Sequence, residues 1–283
     1  VPRPARPRAS RSELPLDPAV HAPSAAHPVW VRKRALRAAT RIVPHRHPWA
    51  QVAFSATGVV RLTVPDHTFI VPPTRVVWVP PDVEHFVSVV EDAELVTMYV
   101  LQDQPRGPQP LAGQPLAGSA AGDWSRCRVL EASPLLRELV TELAREDVVQ
   151  EPAREHCLAA LLQDELARAR PLPLGVRLPA DKRLRALCDA VLDDPARHDS
   201  LEGWAQEAGA SVRTVARLFR QELDTSFAAW RQQVLLAKAL SMAAARRPMS
   251  HIAAELGYAS PSAFSAMVRR AVGMPPSRFF NAG

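Results

Sequence analysis

The chain of 283 residues has little cysteine, only Cys127, Cys157 and Cys188. An odd number at scattered positions argues against a disulfide framework and a Cys zinc site, and for a reducing compartment. Free cysteines of this kind are mostly small buried hydrophobes. No run of 18 apolar residues occurs, so no membrane span is expected. The N-terminal stretch lacks an apolar segment of the signal-peptide type, so a cytoplasmic location is expected rather than secretion. A heavy excess of one charge is missing too, with 35 Lys and Arg against 29 Asp and Glu. That balance, and the lack of wedge residues, argue against a nonspecific architectural DNA protein.

What is present suffices for two cored domains: 47% of the residues are hydrophobic. The net charge of +6 is unevenly spread, with +8 over residues 1–47, −6 over 48–178 and +4 over 179–283. A basic C-terminal part beside an acidic middle suits a nucleic-acid reader joined to something that is not one.

The strongest internal signal is a repeat. Ala205, Glu207 and Gly209 recur 48 positions later as Ala253, Glu255 and Gly257, and beyond the turn Ser211, Val215 and Arg220 recur as Ser260, Phe264 and Arg269. Each copy reads as a short helix, a turn holding Gly, and a second helix opened by Ser. In the first, Leu201, Trp204, Ala205 and Ala208 form one apolar face behind the expected N-cap Ser200. Ser211 then caps a helix with Val215, Leu218 and Phe219 inward and Arg213, Thr214, Arg217 and Arg220 outward. The second copy buries Ile252, Ala253 and Leu256, turns at Gly257, caps with Ser260 and has Pro261 at N1. Its outer side carries Ser262, Ser265, Ala266, Arg269 and Arg270. Helices of this kind enter a major groove, where Arg reads guanine and Ser or Thr reads several base edges. A single copy would read equally well as a plain helical bundle with a basic solvent face. Two copies with matched turns and caps favour the tandem helix-turn-helix.

This stretch resembles the DNA-binding domain of AraC/XylS-type transcription regulators. The resemblance rests on Leu201, Trp204-Ala205, Leu218-Phe219-Arg220, Ile252-Ala253, Leu256-Gly257-Tyr258, Phe264-Ser265 and Gly273-Met274-Pro275-Pro276. It implies two helix-turn-helix units joined by one long helix, expected over residues 226–244. Departures occur at Ala266, where the family usually has Arg, at Val268 for Phe, at Phe280 for Arg, and at Leu235 for a frequent linker-helix Arg.

Upstream, residues 29–102 read as short β-type runs separated by Gly58, Pro65-Asp66, Pro72-Pro73 and Pro80-Pro81-Asp82, the pattern of a small sandwich or barrel. Expected strands are 37–43, 50–57, 59–64, 67–71, 75–79, 85–90 and 94–101. Within them lie His45, His47, Gln51 and His85, and on a strand His45 and His47 point to one face. The run resembles the cupin barrel, although Asp82 stands at a motif Gly, Val89 at a usual Asn, and Ala39 and Thr74 where Gly is frequent. The four side chains either hold a divalent metal in a shell of three nitrogens and one oxygen or line an organic-ligand pocket. Trp49, Phe54, Trp78 and Tyr99 then form its apolar wall or plain core.

The expected organisation is α+β and multidomain. Residues 1–28 are a disordered Pro- and Arg-rich tail, 29–102 a cupin-like sensor barrel, and 103–123 a flexible insert holding the duplication Gln109–Gly113 and Gln114–Gly118. Residues 124–169 carry two amphipathic helices, 170–180 form a Pro-rich linker and 181–283 the DNA-binding domain. The resemblance implies that one helix of 124–169 forms a two-fold dimer interface. The expected function is a ligand-responsive, sequence-specific DNA-binding transcription regulator, with double-stranded DNA, a small-molecule effector and a second copy as partners. The alternative is a metal-dependent cupin enzyme with a helical accessory domain. Gln51 in place of an acid, and a paired helix-turn-helix that an enzyme does not need, favour regulation.

Overall fold

The computed structural model describes residues 11–17, 20–73, 75–101, 108, 124–145, 151–172 and 174–280. The expected tail thus falls partly outside the described residues, and the expected insert entirely so except for Pro108.

Two six-stranded sheets face each other. The first runs in the order β1 (Arg11–Glu13), β3 (Thr40–His45), β8 (His85–Val89), β5 (Val60–Thr63), β6 (His67–Val71) and β12 (Gly175–Arg177). The second runs β11 (Pro171–Leu172), β10 (Arg128–Glu131), β7 (Arg75–Val79), β4 (Ala50–Thr57), β9 (Ala93–Val100) and β2 (Val29–Leu36). Leu62, Val71 and Val87 from the first meet Ala53, Val77 and Leu95 from the second in a buried interior. The outer face of the second sheet is also covered. Val52, Phe54, Val76, Trp78 and Met98 pack under α1 (Pro134–Leu143) and α2 (Pro152–Arg168). Burial on both faces is why these strands read as continuous apolar runs rather than alternating ones.

Three segments differ from expectation. Residues 29–36 form the edge strand β2, whose Arg32 and Lys33 face solvent as edge charges do. Part of the expected tail is ordered: β1 pairs in parallel with β3, Glu13 is ion-paired to Arg34, and His27 Nδ1 lies 2.8 Å from the buried Glu155 carboxylate. The expected linker contains β11 and β12, which extend one sheet each, so the chain enters the helical part directly from the barrel.

The helical part comprises α3 (Lys182–Asp193), α4 (Leu201–Glu207), α5 (Val212–Leu223), α6 (Phe227–Ala244), α7 (Met249–Glu255), α8 (Pro261–Val272) and α9 (Pro276–Phe280). Ser211 and Ser260 accept the Thr214 and Ala263 amides as N-caps, each at 3.1 Å, whereas Ser200 sits at its N-cap without a capping side-chain bond. Gly209 (φ 62°) and Gly257 (φ 79°) supply the left-handed residue of each turn. Trp204, Phe219 and Trp230 centre the first unit's core, with Trp230 Nε1 donating to the Arg177 carbonyl at 2.6 Å. Phe264, Met267 and Val268 of the second unit belong to an apolar cluster continuous with the barrel interior.

Candidate sensing site and DNA-reading surface

His45 ends β3, and His47 lies just past that strand in the turn to β4 rather than on it. His85 opens β8 directly opposite His45, and Gln51 is the second residue of β4. The site therefore joins the two sheets at one end. Ring centroids are 4.4 Å apart for His45 and His85, and 5.2 Å for His47 and His85. The ligand atoms of the three rings all lie within 4.8 Å of one another.

Each ring is oriented by backbone. The Nδ1 atoms of His45, His47 and His85 sit 2.9, 2.7 and 2.9 Å from the carbonyls of Val43, Trp49 and Val83. A carbonyl can only accept, so Nδ1 carries the proton in all three. The Nε2 lone pairs are then left as acceptors or ligands. Gln51 Oε1 stands 2.9 Å from His47 Nε2 and 3.2 Å from His85 Nε2. Facing two acceptors, the amide is best turned with its NH2 toward the rings, unless a cation lies between them. Burial lowers the pKa of His45 and His47, and burial together with the neighbouring His45 pushes His85 down to about 3. Neutral imidazoles of fixed tautomer, each with its second nitrogen held by backbone, are the state a metal ligand requires.

The aromatic wall is Trp49, stacked on His47 at 5.9 Å, and Tyr99, 4.8 Å from His47. Trp30 extends it, 5.8 Å from Tyr99, and His21 stacks on Trp30 at 4.0 Å. Trp30 escaped the sequence reading because its strand did. Trp78 and Phe54 do not belong to this wall. Trp78 pairs with Val52 while Gln51 pairs with Val79, so both Trp78 and Phe54 point to the opposite face, under the helices. Period-two alternation fixes this once the register is known. Trp78 Nε1 instead donates to the Trp124 carbonyl at 3.0 Å.

Two of the three motif positions that lack Gly keep the backbone that Gly would take, and the third, Thr74, lies outside the described residues. Ala39 has φ 64° and Asp82 φ 60°. The Asp82 amide donates to the His47 carbonyl at 2.8 Å, which ties the loop before His85 to the loop bearing His47.

On the helical part, Arg213, Arg217 and Arg220 of α5 are exposed, and Thr214 is half-buried with its hydroxyl 2.9 Å from that of Ser211. On α8, Ser262, Arg269 and Arg270 are exposed and Ser265 is half-buried, while the Ser260 hydroxyl is engaged in the cap. Arg217 donates to the Gln221 amide oxygen along the α5 face. Leu235 is buried and does not stand in for the arginine frequent there. A cleft of about 560 Å³ separates the two units and is lined by Arg220, Arg231, Tyr258 and Arg270 among others.

Residues 31–169 match the family described as AraC-like ligand binding domain, and residues 204–282 the one described as Helix-turn-helix domain. The HTH-type transcriptional regulator NimR of Escherichia coli is 30% identical over 237 residues, which cover 83% of this chain and 81% of that protein. RipA of Corynebacterium glutamicum, also an HTH-type transcriptional regulator, is 34% identical over 102 residues, 36% of this chain and 31% of its own. A solved structure of ToxT from Vibrio cholerae covers 90% of this chain and 98% of its own at 9% identity and a TM-score of 0.36. A sensor barrel, a tandem helix-turn-helix and a relative matching along most of both chains lead to one conclusion: the chain belongs to the AraC family and is a ligand-responsive DNA-binding transcription regulator.

Proposed function

We propose that this regulator works in the cytoplasm as a homodimer, without catalysis of its own, and senses its effector at His45, His47, Gln51 and His85. The single observation that carries the reading is the anchoring of all three Nδ1 atoms to backbone carbonyls, which leaves Nε2 as the available ligand atom of three rings clustered within 4.8 Å. A divalent cation fits this donor set, with the Gln51 amide oxygen as a fourth ligand. When bound, the ion supplies a charge that holds both sheets at one point. His45 and His85 bring the first sheet to it and Gln51 brings the second. Trp30, Trp49 and Tyr99 beside the cluster support a second reading, an organic effector stacked on the rings and oriented by the imidazoles. The absence of catalysis is supported by Gln51, an amide where a catalytic barrel of this type supplies a carboxylate.

Arg213, Thr214 and Arg217 read base edges, while Arg220, Ser260, Ser262, Ser265, Arg269 and Arg270 contact the backbone and the second groove. Leu135 of α1 and Leu161 of α2, 48% and 38% exposed, support a two-fold contact through these helices. No helix among the described residues is long and apolar enough to cross a membrane.

The test is elemental analysis of the purified chain, followed by zinc, nickel and cobalt titration of wild type and His47→Ala. About one ion per chain, lost in the variant, supports the metal. No ion, with an effector response still altered in His47→Ala, moves the assignment to the organic ligand. A triple Ala variant at His45, His47 and His85 that folds and responds normally removes the site.

A further inference from the structure

Three barrel arginines reach the helical part, and each donates to a main-chain carbonyl near the end of a helix. Arg61 of β5 donates from Nη2 to the Leu192 carbonyl at 3.3 Å, with its Nη1 3.2 Å from Asp193. Arg177 of β12 donates to the Leu223 carbonyl at 2.7 Å. Arg75 of β7, 1% exposed, donates to the Phe279 carbonyl at 3.2 Å. Leu192, Leu223 and Phe279 lie in the last turns of α3, α5 and α9. The last four carbonyls of a helix lack intrahelical partners and carry its negative pole, so a guanidinium there is doubly favoured. Between these points Ala237, in the middle of α6, packs on Val59 and Ile70 of the barrel.

The distribution matters more than the count. Arg61 and Arg177 hold the first unit, and Arg177 holds the helix that bears Arg213 and Arg217. Arg75 holds the second unit, together with the apolar cluster that runs from the barrel interior to Phe264, Met267 and Val268. The units are otherwise joined by α6, whose first half lies in one core and whose second half lies in the other. One helix between two bodies leaves their mutual angle soft to bending. Attaching both bodies to a third removes that freedom.

We infer that the sensor barrel is a brace, and that Arg61, Arg75 and Arg177 are positioning residues that set the relative disposition of the two DNA-reading units. Two units reading one face of a duplex need boxes about one helical turn apart. One added base pair turns the second box by roughly a tenth of a turn. A braced pair cannot follow that rotation, and an unbraced pair can. The inference does not depend on what the histidine cluster binds.

The test uses the full-length chain and duplexes selected by it from a random-sequence pool. Dissociation constants are measured on the selected duplex and on duplexes with one base pair added or removed between the two boxes, with the melting temperature alongside. The wild type should lose about tenfold or more on the altered spacings, as expected when about one charged hydrogen bond must break to follow them. Arg75→Met should bind the selected duplex nearly as well, with the spacing loss cut to about threefold or less. Arg75→Lys should restore part of the discrimination, because the positive charge remains at the α9 terminus. If Arg75→Met does not fold, the pair Arg61→Met and Arg177→Met, at partly exposed positions, takes its place. A variant that keeps the wild-type spacing profile overturns the brace, whether or not its melting temperature falls, and so does a wild type indifferent to spacing.

Discussion

Replacing Gln51 by Glu puts a carboxylate where an amide now sits 2.9 Å from His47 Nε2 and 3.2 Å from His85 Nε2. Gln51 is 3% exposed, so water does not solvate the new group. Without a cation, two donated hydrogen bonds are lost and two imidazole nitrogens face an acceptor. Leaving buried polar groups unmatched costs about 1–3 kcal/mol. A loss of about 2 kcal/mol lowers the melting temperature by roughly 4–8 °C in a domain of this size. With a divalent cation the sign reverses, because a carboxylate binds it more strongly than an amide oxygen. Zinc at a hundred times its dissociation constant adds about 2.7 kcal/mol to the folded state. A tenfold tighter site adds about 1.4 kcal/mol more at the same zinc concentration. The assay is thermal melting of the chelator-stripped chain across a zinc series, with His47→Ala as control. Melting temperatures of wild type and Gln51→Glu that no zinc, nickel or cobalt concentration moves would refute the metal reading. A metal-free Gln51→Glu as stable as wild type would refute the closed amide and imidazole network.

Arg217→Ala should lose about tenfold or more on the selected duplex with little change on random DNA, as for one Arg bidentate to guanine; equal losses on both would make it a phosphate contact. Arg269→Ala should weaken both and lower the salt slope by about one, and an unchanged slope in filter-binding or anisotropy titrations contradicts that. Trp204→Ala and Trp230→Ala, at residues 1% and 0% exposed, should unfold the helical part, at a cost of about 3–5 kcal/mol each; full thermal stability with lost DNA binding would instead place the rings against bases. Ala39→Gly should stabilise the barrel by about 0.5–1 kcal/mol, since Ala in the left-handed region costs about 1–2 kcal/mol and Gly returns part of that as unfolded-chain entropy. A lower midpoint in urea would show that the Ala39 methyl packs better than its φ of 64° suggests.

The helical part was legible because its signals are local. A Gly at the turn and a Ser three residues before the amide it caps act within one turn of helix, and both recur at Gly257 and Ser260. Apolar stripes placed α1 and α2 for the same reason, whereas α6 was expected from the family resemblance. The departures from the cupin pattern at Ala39 and Asp82 weakened the sequence reading of the barrel. The structure shows the backbone kept its left-handed turns there regardless, because amides and carbonyls on either side are held, as in the Ala39 amide bonded to Val89 O at 3.0 Å.

By itself the sequence determined the repeat, the two-part architecture, the caps at Ser211 and Ser260 with their turns, and the four side chains of the histidine and glutamine cluster. Which of its aromatics face that cluster was decided by the tertiary structure. Val76, Val77, Trp78 and Val79 are all buried, since interior and helices cover the two faces of one sheet, and no polar alternation remains to mark the inward side. Only the pairing of Gln51 with Val79 sends Trp78 outward. The same holds for β12 within an apparent linker, for β1 within an apparent tail, and for Arg75 reaching Phe279 across 204 positions of chain. Edge-strand pairing and helix-end capping at that separation depend on which surfaces meet, and chain order alone does not encode that meeting in any short-range pattern.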